Sequence, residues 1–153
     1  ARLLVVGDGP LRRYYERRAG TLLNKQIFFE GQANGNRPEY FATSQVFCYP
    51  ATKASFGITL LEAMAANTPV VAADNIGFKG VVQTGVNGCL ARQGDPDDLA
   101  RALVTVLPDR ALSQRMVENG RRMVERYSWP RVTDEILAYY NDIFLAKKGE
   151  RFI

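Results

Sequence analysis

Residues 46–74, VFCYPATKASFGITLLEAMAANTPVVAAD, constrain the fold more than any other stretch of the chain. They read as strand, glycine-bearing loop, helix and strand, the repeating unit of a parallel α/β sheet. The apolar run 46–49, stopped by Pro50, predicts a buried strand. Residues 50–57 form a small-residue loop that contains Ser55, Phe56 and Gly57. From Ile58 the apolar spacing turns helical, with Ile58, Leu61, Met64 and Ala65 on one stripe. Asn67, Thr68 and Pro69 end that helix, because proline cannot continue it and disfavours helix in the residue before. Residues 69–73 then predict a second buried strand.

A loop that ends in glycine and opens directly into a helix leaves backbone N–H groups without intrahelical acceptors. Here those belong to Gly57, Ile58, Thr59 and Leu60. The helix dipole adds partial positive charge, so the place suits phosphate. Glu62 lies one turn further in, where a carboxylate can accept hydrogen bonds from ribose or sugar hydroxyls. Its competing reading is a helix acid near the N-terminus that complements the dipole.

At 153 residues, 46% of them hydrophobic, the chain supports one domain with one core. The balance of 20 Lys+Arg against 16 Asp+Glu is too mild, unless clustered, to call for a nucleic acid partner. The densest basic group is Arg12, Arg13, Arg17 and Arg18, read as a solvated helix face or as an anionic-lipid or phosphate surface. Cys48 and Cys89 sit in apolar strands, which predicts reduced core thiols of a cytoplasmic protein. With no histidine, Ser-His and Cys-His catalysis and a zinc site have no ligand set here, and neither a metal nor a cofactor is expected. No signal peptide and no membrane-length apolar run appear. The missing initial Met and the strand at the very start suggest a fragment.

Residues 1–7 predict the first strand, leading into Gly7-Asp8-Gly9-Pro10 and a helix over 10–19 with Pro10 at its first position. Two glycines after a strand, with Glu30 at the end of the next, invite a dinucleotide-binding reading, but the third glycine of that fingerprint is Arg12. A tight turn explains the pair equally. A second strand over 27–30, a polar loop over 31–36 and a short helix over 37–44 follow, with Tyr40 and Phe41 packing on the sheet. Beyond Asp74 the expectations are a loop at 75–77, a short helix over 78–83 and a strand at 89–91. Asp95-Pro96 marks a helix start, with Leu99, Leu103, Val106 and Leu107 as the buried stripe. Two more helices are expected over 110–126 and 130–147. Trp129, Ile136, Tyr139, Tyr140, Ile143 and Phe144 form an apolar face that would dock on neighbouring structure.

SFGITLLEAMAANTPVVAAD resembles the signature of the retaining, nucleotide-sugar-dependent glycosyltransferases of the GT-B fold (group 1), in its phosphatidylinositol mannosyltransferase flavour. The family form is Glu-Ser/Gly-Phe-Gly, four residues, Glu-Ala-Met-Ala, then Gly-x-Pro-Val-Val-Ala. The resemblance extends through LLVVGDGPLRRYYERRA, IFFEGQ, RPEYFATSQVFCYPAT and GVNGCLARQGDPDDLARAL. Two positions depart from it. Ala54, preceded by Lys53, stands where the first glutamate belongs, and Asn67 stands where glycine is usual.

The resemblance implies the carboxy-terminal, donor-binding half of a GT-B enzyme, a three-layer Rossmann-like α/β domain. One strand and helix, bearing an Arg and a Lys for the donor pyrophosphate, would be missing ahead of residue 1. Closing that gap gives five parallel strands in the order 2-1-3-4-5, with a ligand crevice between the 7–10 and 52–57 loops. A nucleotide diphosphate sugar would be held by Gly7 and Gly9, by Gln32 and Ala33 along the base, by Ser55, Phe56 and Gly57 around the sugar, by the amides of Ile58, Thr59 and Leu60 on phosphate, and by Glu62 on ribose. An ordinary loop is the competing reading of Gln32 and Ala33. No catalytic residue is assigned, Glu62 and the Ala54 position being the candidates. The parent would transfer a hexose such as mannose to a lipid or saccharide, with an amino-terminal acceptor domain that the last helix reaches, and would work at a membrane surface. The fragment alone would be inactive and prone to form a homodimer. The rival readings are a flavodoxin-like nucleotide-binding module and a non-catalytic relative serving as an interaction subunit, the latter favoured by Ala54.

Overall fold

The computed structural model describes residues 1–33 and 35–149. Asn34, in the polar loop expected at 31–36, lies outside them. Among the described residues thirteen elements alternate in the manner of an α/β protein: five strands and seven α-helices, with one 3₁₀ turn at Gly20–Leu22. The chain divides into two compact units, Ala1–Tyr40 and Phe41–Ile153.

In the first unit, β1 (Leu3–Val6) pairs in parallel with β2 (Ile27–Gly31), and α1 (Arg12–Ala19) connects them. The register runs Leu3 to Ile27, Leu4 to Phe28 and Val5 to Phe29, then slips so that Val6 faces Gly31. Helix α1 begins two residues later than its proline predicts, with Leu11 at the N-cap and Pro10 in the preceding turn. Arg12 explains why the dinucleotide fingerprint fails. Its guanidinium donates to the Phe29 carbonyl at 2.9 Å and to Glu16 at 2.8 Å. It also lies 3.2 Å from where a Cβ on Gly31 would sit, at a residue with φ +74°. The space a third glycine would open is filled by an arginine side chain.

In the second unit, β3 (Phe47–Tyr49), β4 (Val70–Ala73) and β5 (Cys89–Ala91) form a three-stranded parallel sheet with β4 in the middle. The neighbours expected within each run, 2-1 and 3-4-5, are present, and hydrogen bonding divides the strands into two sheets. All four residues of β4 are buried, as a central parallel strand requires. The short α2 (Arg37–Thr43) buries Phe41, whose ring meets Phe47 edge-on at 5.0 Å. Tyr40 stays half-buried, its hydroxyl 3.5 Å from Glu30.

Helix α3 (Ile58–Ala65) corrects the expected stripe. Leu60, Leu61, Ala63 and Met64 are buried, while Ile58 is 64% exposed and Ala65 is exposed. The reason is a second covering surface. Helix α6 (Arg110–Glu125) packs on α3, and Gly120 comes so close to Met64 that an added Cβ would stand 3.1 Å from its side chain. The helix then ends in a Schellman motif, Thr68 N–H donating to the Ala63 carbonyl and Asn67 N–H to that of Met64, both at 3.0 Å. Asn67 sits at φ +64°, the left-handed conformation that glycine adopts freely and asparagine tolerates. The departure at this position therefore leaves the helix end intact.

Helix α4 (Ile76–Lys79) starts two residues before the expected position, because Asn75 caps it by accepting from Phe78 N–H at 3.0 Å. Helix α5 (Pro96–Val106) begins as its sequence predicts, with Asp95 accepting from Asp98 N–H at 2.9 Å. It buries Ala102 and Val106, half-buries Leu99 and Leu103, and leaves Leu107 exposed. Cys48 and Cys89 are free and half-buried rather than core residues, and partial burial pushes both thiols up in pKa. On α7 (Trp129–Gly149) the expected docking face is exposed, Trp129 at 82%. Among the described residues no helix is long and apolar enough to cross a membrane.

Candidate functional site

The loop after β3 and the start of α3 carry the candidate site. Gly57 is the N-cap of α3, in the left-handed region at φ +98°, and no side chain caps the helix. A Cβ there would stand 2.9 Å from the Phe78 ring and 3.2 Å from Leu60. Only glycine fits both the conformation and the space. Without a capping side chain, the first amides of α3 keep their hydrogen-bonding capacity and the positive end of the dipole.

Leu60 departs from its expected role. Its side chain is fully buried and its N–H donates to the Gly57 carbonyl at 2.9 Å. Among the described residues the amides of Gly57, Ile58 and Thr59 make no such backbone hydrogen bond. Glu62, half-buried, follows one turn later on the same helix.

The preceding loop borders an open hollow of about 580 Å³ lined by Thr52, Lys53, Ala54, Ser55, Asn75, Ile76 and Gln93. Three contacts hold this loop from outside it. Asn75, 6% exposed, donates its amide to the Ala51 carbonyl at 2.8 Å while it caps α4. Gln93 donates to the Thr52 carbonyl at 2.7 Å. Gly77 approaches so closely that a Cβ would lie 2.2 Å from the Ala54 carbonyl oxygen. Ala54 also packs against the buried cluster around Leu60, Val70 and Phe78. The loop is thus set before any ligand arrives, which lowers the ordering cost of binding.

Of the residues expected around a sugar, Ser55 lines the hollow. Phe56 instead stacks edge-on against Tyr127 at 5.2 Å, and Gly57 lies beneath Phe78. Thr52, Lys53, Asn75, Ile76 and Gln93 were not among the expected binding residues. Asn75 had a readable signal, an asparagine just ahead of a short helix. Gln93 had none, since its partner is 41 residues away.

Gly7, Gly9, Gln32 and Ala33 belong to the first unit. The Gly7 amide is taken up by the Gly31 carbonyl at 2.6 Å, and the Gly9 amide by the Asp8 carboxylate at 2.7 Å. The glycine turn therefore closes on its own unit rather than offering free amides. Gln32 is exposed and Ala33 half-buried, both just past the end of β2.

The likeness to known proteins covers nearly all of this architecture. Phosphatidyl-myo-inositol mannosyltransferase of Mycobacterium leprae is 38% identical over 143 residues, a match that covers 92% of this chain and 38% of that protein. An uncharacterized glycosyltransferase of Methanocaldococcus jannaschii is 32% identical over 143 residues, covering 92% and 37% respectively. The chain thus spans well under half the length of these relatives. Among solved structures, sucrose-phosphate synthase from Thermosynechococcus elongatus superposes with a TM-score of 0.82 at 28% identity, over 95% of this chain and 39% of that one. The Anabaena protein HepE, solved with UDP and glucose, shares the fold at a TM-score of 0.80 and 24% identity, over 92% and 40%. The flavodoxin-like alternative falls with these matches. The family model described as glycosyl transferases group 1 matches residues 1–123, and the chain belongs to that family.

Proposed function

We propose that the chain is the nucleotide-sugar-binding domain of a retaining glycosyltransferase that moves a hexose, such as mannose, to a lipid or saccharide acceptor. The observation that carries this reading is the uncapped start of α3 at Gly57, set beside a pre-formed loop and followed one turn later by Glu62. The amides of Gly57, Ile58 and Thr59 bind the diphosphate, and Glu62 accepts from ribose hydroxyls. The names of the mannosyltransferase relatives support the sugar.

Catalysis in such a site comes from positioning and electrostatics. The diphosphate departs toward fixed N–H dipoles, which stabilise the charge developing on it. An amino-terminal domain supplies the acceptor, and the exposed face of α7, with Trp129, Tyr139, Tyr140 and Phe144, is a surface suited to meeting it. Without that domain, copies of the chain pair through the same apolar side chains. The parent works in the cytoplasm at a membrane face. Calorimetric titration with UDP, GDP and their sugar conjugates tests the reading, and it fails if none of them binds.

Ala54 favours a second reading, a non-catalytic relative that keeps the nucleotide site. In the resembling family a glutamate at this position faces donor-sugar hydroxyls. Loss of turnover with retained nucleoside diphosphate binding, once an acceptor domain is supplied, distinguishes the two.

A further inference from the structure

The hollow beside the start of α3 has a one-sided charge pattern. Of its seven lining residues one is cationic, Lys53, and none is a carboxylate. Five are polar or charged, Thr52, Lys53, Ser55, Asn75 and Gln93, and two of those have their side-chain amides tied to the loop itself. The adjacent acid, Asp74, is neutralised by Lys79 at 3.1 Å. Among the described residues Lys53 has no ion pair, so its charge is uncompensated at the edge of the hollow.

A neutral hexose offers hydroxyls, which an acceptor such as a carboxylate would hold best. This lining lacks that acceptor and presents a cation instead. We infer that the hollow selects a donor whose hexose bears an anionic substituent, a nucleotide diphosphate hexuronate, with Lys53 as the specificity-determining residue. The inference rests on the proposed donor site and narrows its sugar from unmodified mannose to an acidic hexose. Lys53 precedes Gly57 by four residues in the same loop, and the hollow that it lines, about 580 Å³, is of a size usual for small-molecule sites.

The test is calorimetric titration of the chain with UDP, UDP-glucose and UDP-glucuronate, and with GDP, GDP-mannose and GDP-mannuronate. In one of the two series the hexuronate conjugate should bind about three- to tenfold tighter than the neutral one, the range of a partly exposed ion pair. That preference should shrink as salt rises from about 50 to 500 mM, because exposed charges are screened. Lys53→Gln should abolish it while leaving nucleoside diphosphate binding unchanged, and Lys25→Gln in the first unit should leave it in place. Equal binding of neutral and acidic conjugates, with UDP or GDP still bound, overturns this inference alone. A Lys53→Gln variant that loses UDP or GDP as strongly as the hexuronate conjugate assigns the lysine to the diphosphate and also overturns it. Absence of binding by all six ligands overturns the donor-site reading and this inference together.

Discussion

The two units solve the same problem with very different means. The second packs Leu60, Val70, Val71, Ala72, Phe78, Val81 and Val106 to complete burial around β4. In the first, Gly31 is the one buried residue among those described, and Leu3, Leu4 and Val6 of its own β1 are 51%, 42% and 39% exposed. Both are parallel β–α–β units in sequence. The difference is how many covering helices each strand finds within its own unit: α3, α5 and α6 pack in the second, while α1 and the 3₁₀ turn at Gly20–Leu22 connect the strands of the first. A rigid loop needs a rigid floor, and the buried core of the second unit supplies one. Its loop is anchored on the buried cap Asn75 and on backbone packed against Gly77.

The largest effect that separates the units is core truncation. Phe78→Ala removes a fully buried ring that also closes over Gly57, and should cost about 3–5 kcal/mol. Leu4→Ala, on a half-exposed strand, should cost under about 1 kcal/mol. Urea denaturation of both variants checks the contrast, and equal losses would break it.

Next come the substitutions at the site. Glu62→Gln weakens charge-assisted hydrogen bonds worth about 1.5–3 kcal/mol, so nucleoside diphosphate affinity should fall by roughly ten- to a hundredfold with the thermal midpoint nearly unchanged. A large drop in midpoint with unchanged affinity would make Glu62 a structural residue. Ala54→Glu restores the acceptor for neutral sugar hydroxyls. It should shift preference from the bare nucleoside diphosphate toward its neutral hexose conjugate by roughly the same factor. Titration that shows no shift would remove Ala54 from the sugar's surroundings.

The smallest effect is acid sensitivity. Asp98 accepts from Arg92 N–H at 2.7 Å and from the Arg101 guanidinium at 3.0 Å, which hold its carboxyl below the ordinary range. A carboxyl whose folded pKa is lowered stabilises the fold above its unfolded value, near 3.8, and loses that contribution as pH falls through the folded value. Thermal midpoints of the wild type should decline below about pH 4, and Asp98→Asn should remove a small part of that decline. Identical acid profiles for the two proteins would contradict this.

What the sequence disclosed follows the same division between local and distant causes. The strand–loop–helix–strand unit, the glycine before α3 and the Asp95-Pro96 start were legible because each is set by neighbours within a few residues. The buried face of α3 was misjudged at Ile58 and Ala65, because it depends on α6, whose Gly120 lies more than fifty residues on. Asn67 read as a departure in sequence and proved to be a compatible left-handed residue. The role of Gln93 and the close approach of Gly77 to Ala54 depend on tertiary contacts that no local pattern encodes.

The central claim is that the amides at the start of α3 bind the donor diphosphate. The most direct measurement is an amide-resolved NMR titration of the chain with UDP and with GDP, which detects weak binding residue by residue. The account predicts that one of them produces its largest shifts at the N–H groups of Gly57, Ile58 and Thr59, with smaller ones at Ser55 and Glu62. Saturable shifts centred on the Gly7 and Gly9 turn of the first unit, or none at Gly57 to Thr59 with either nucleotide, would contradict it.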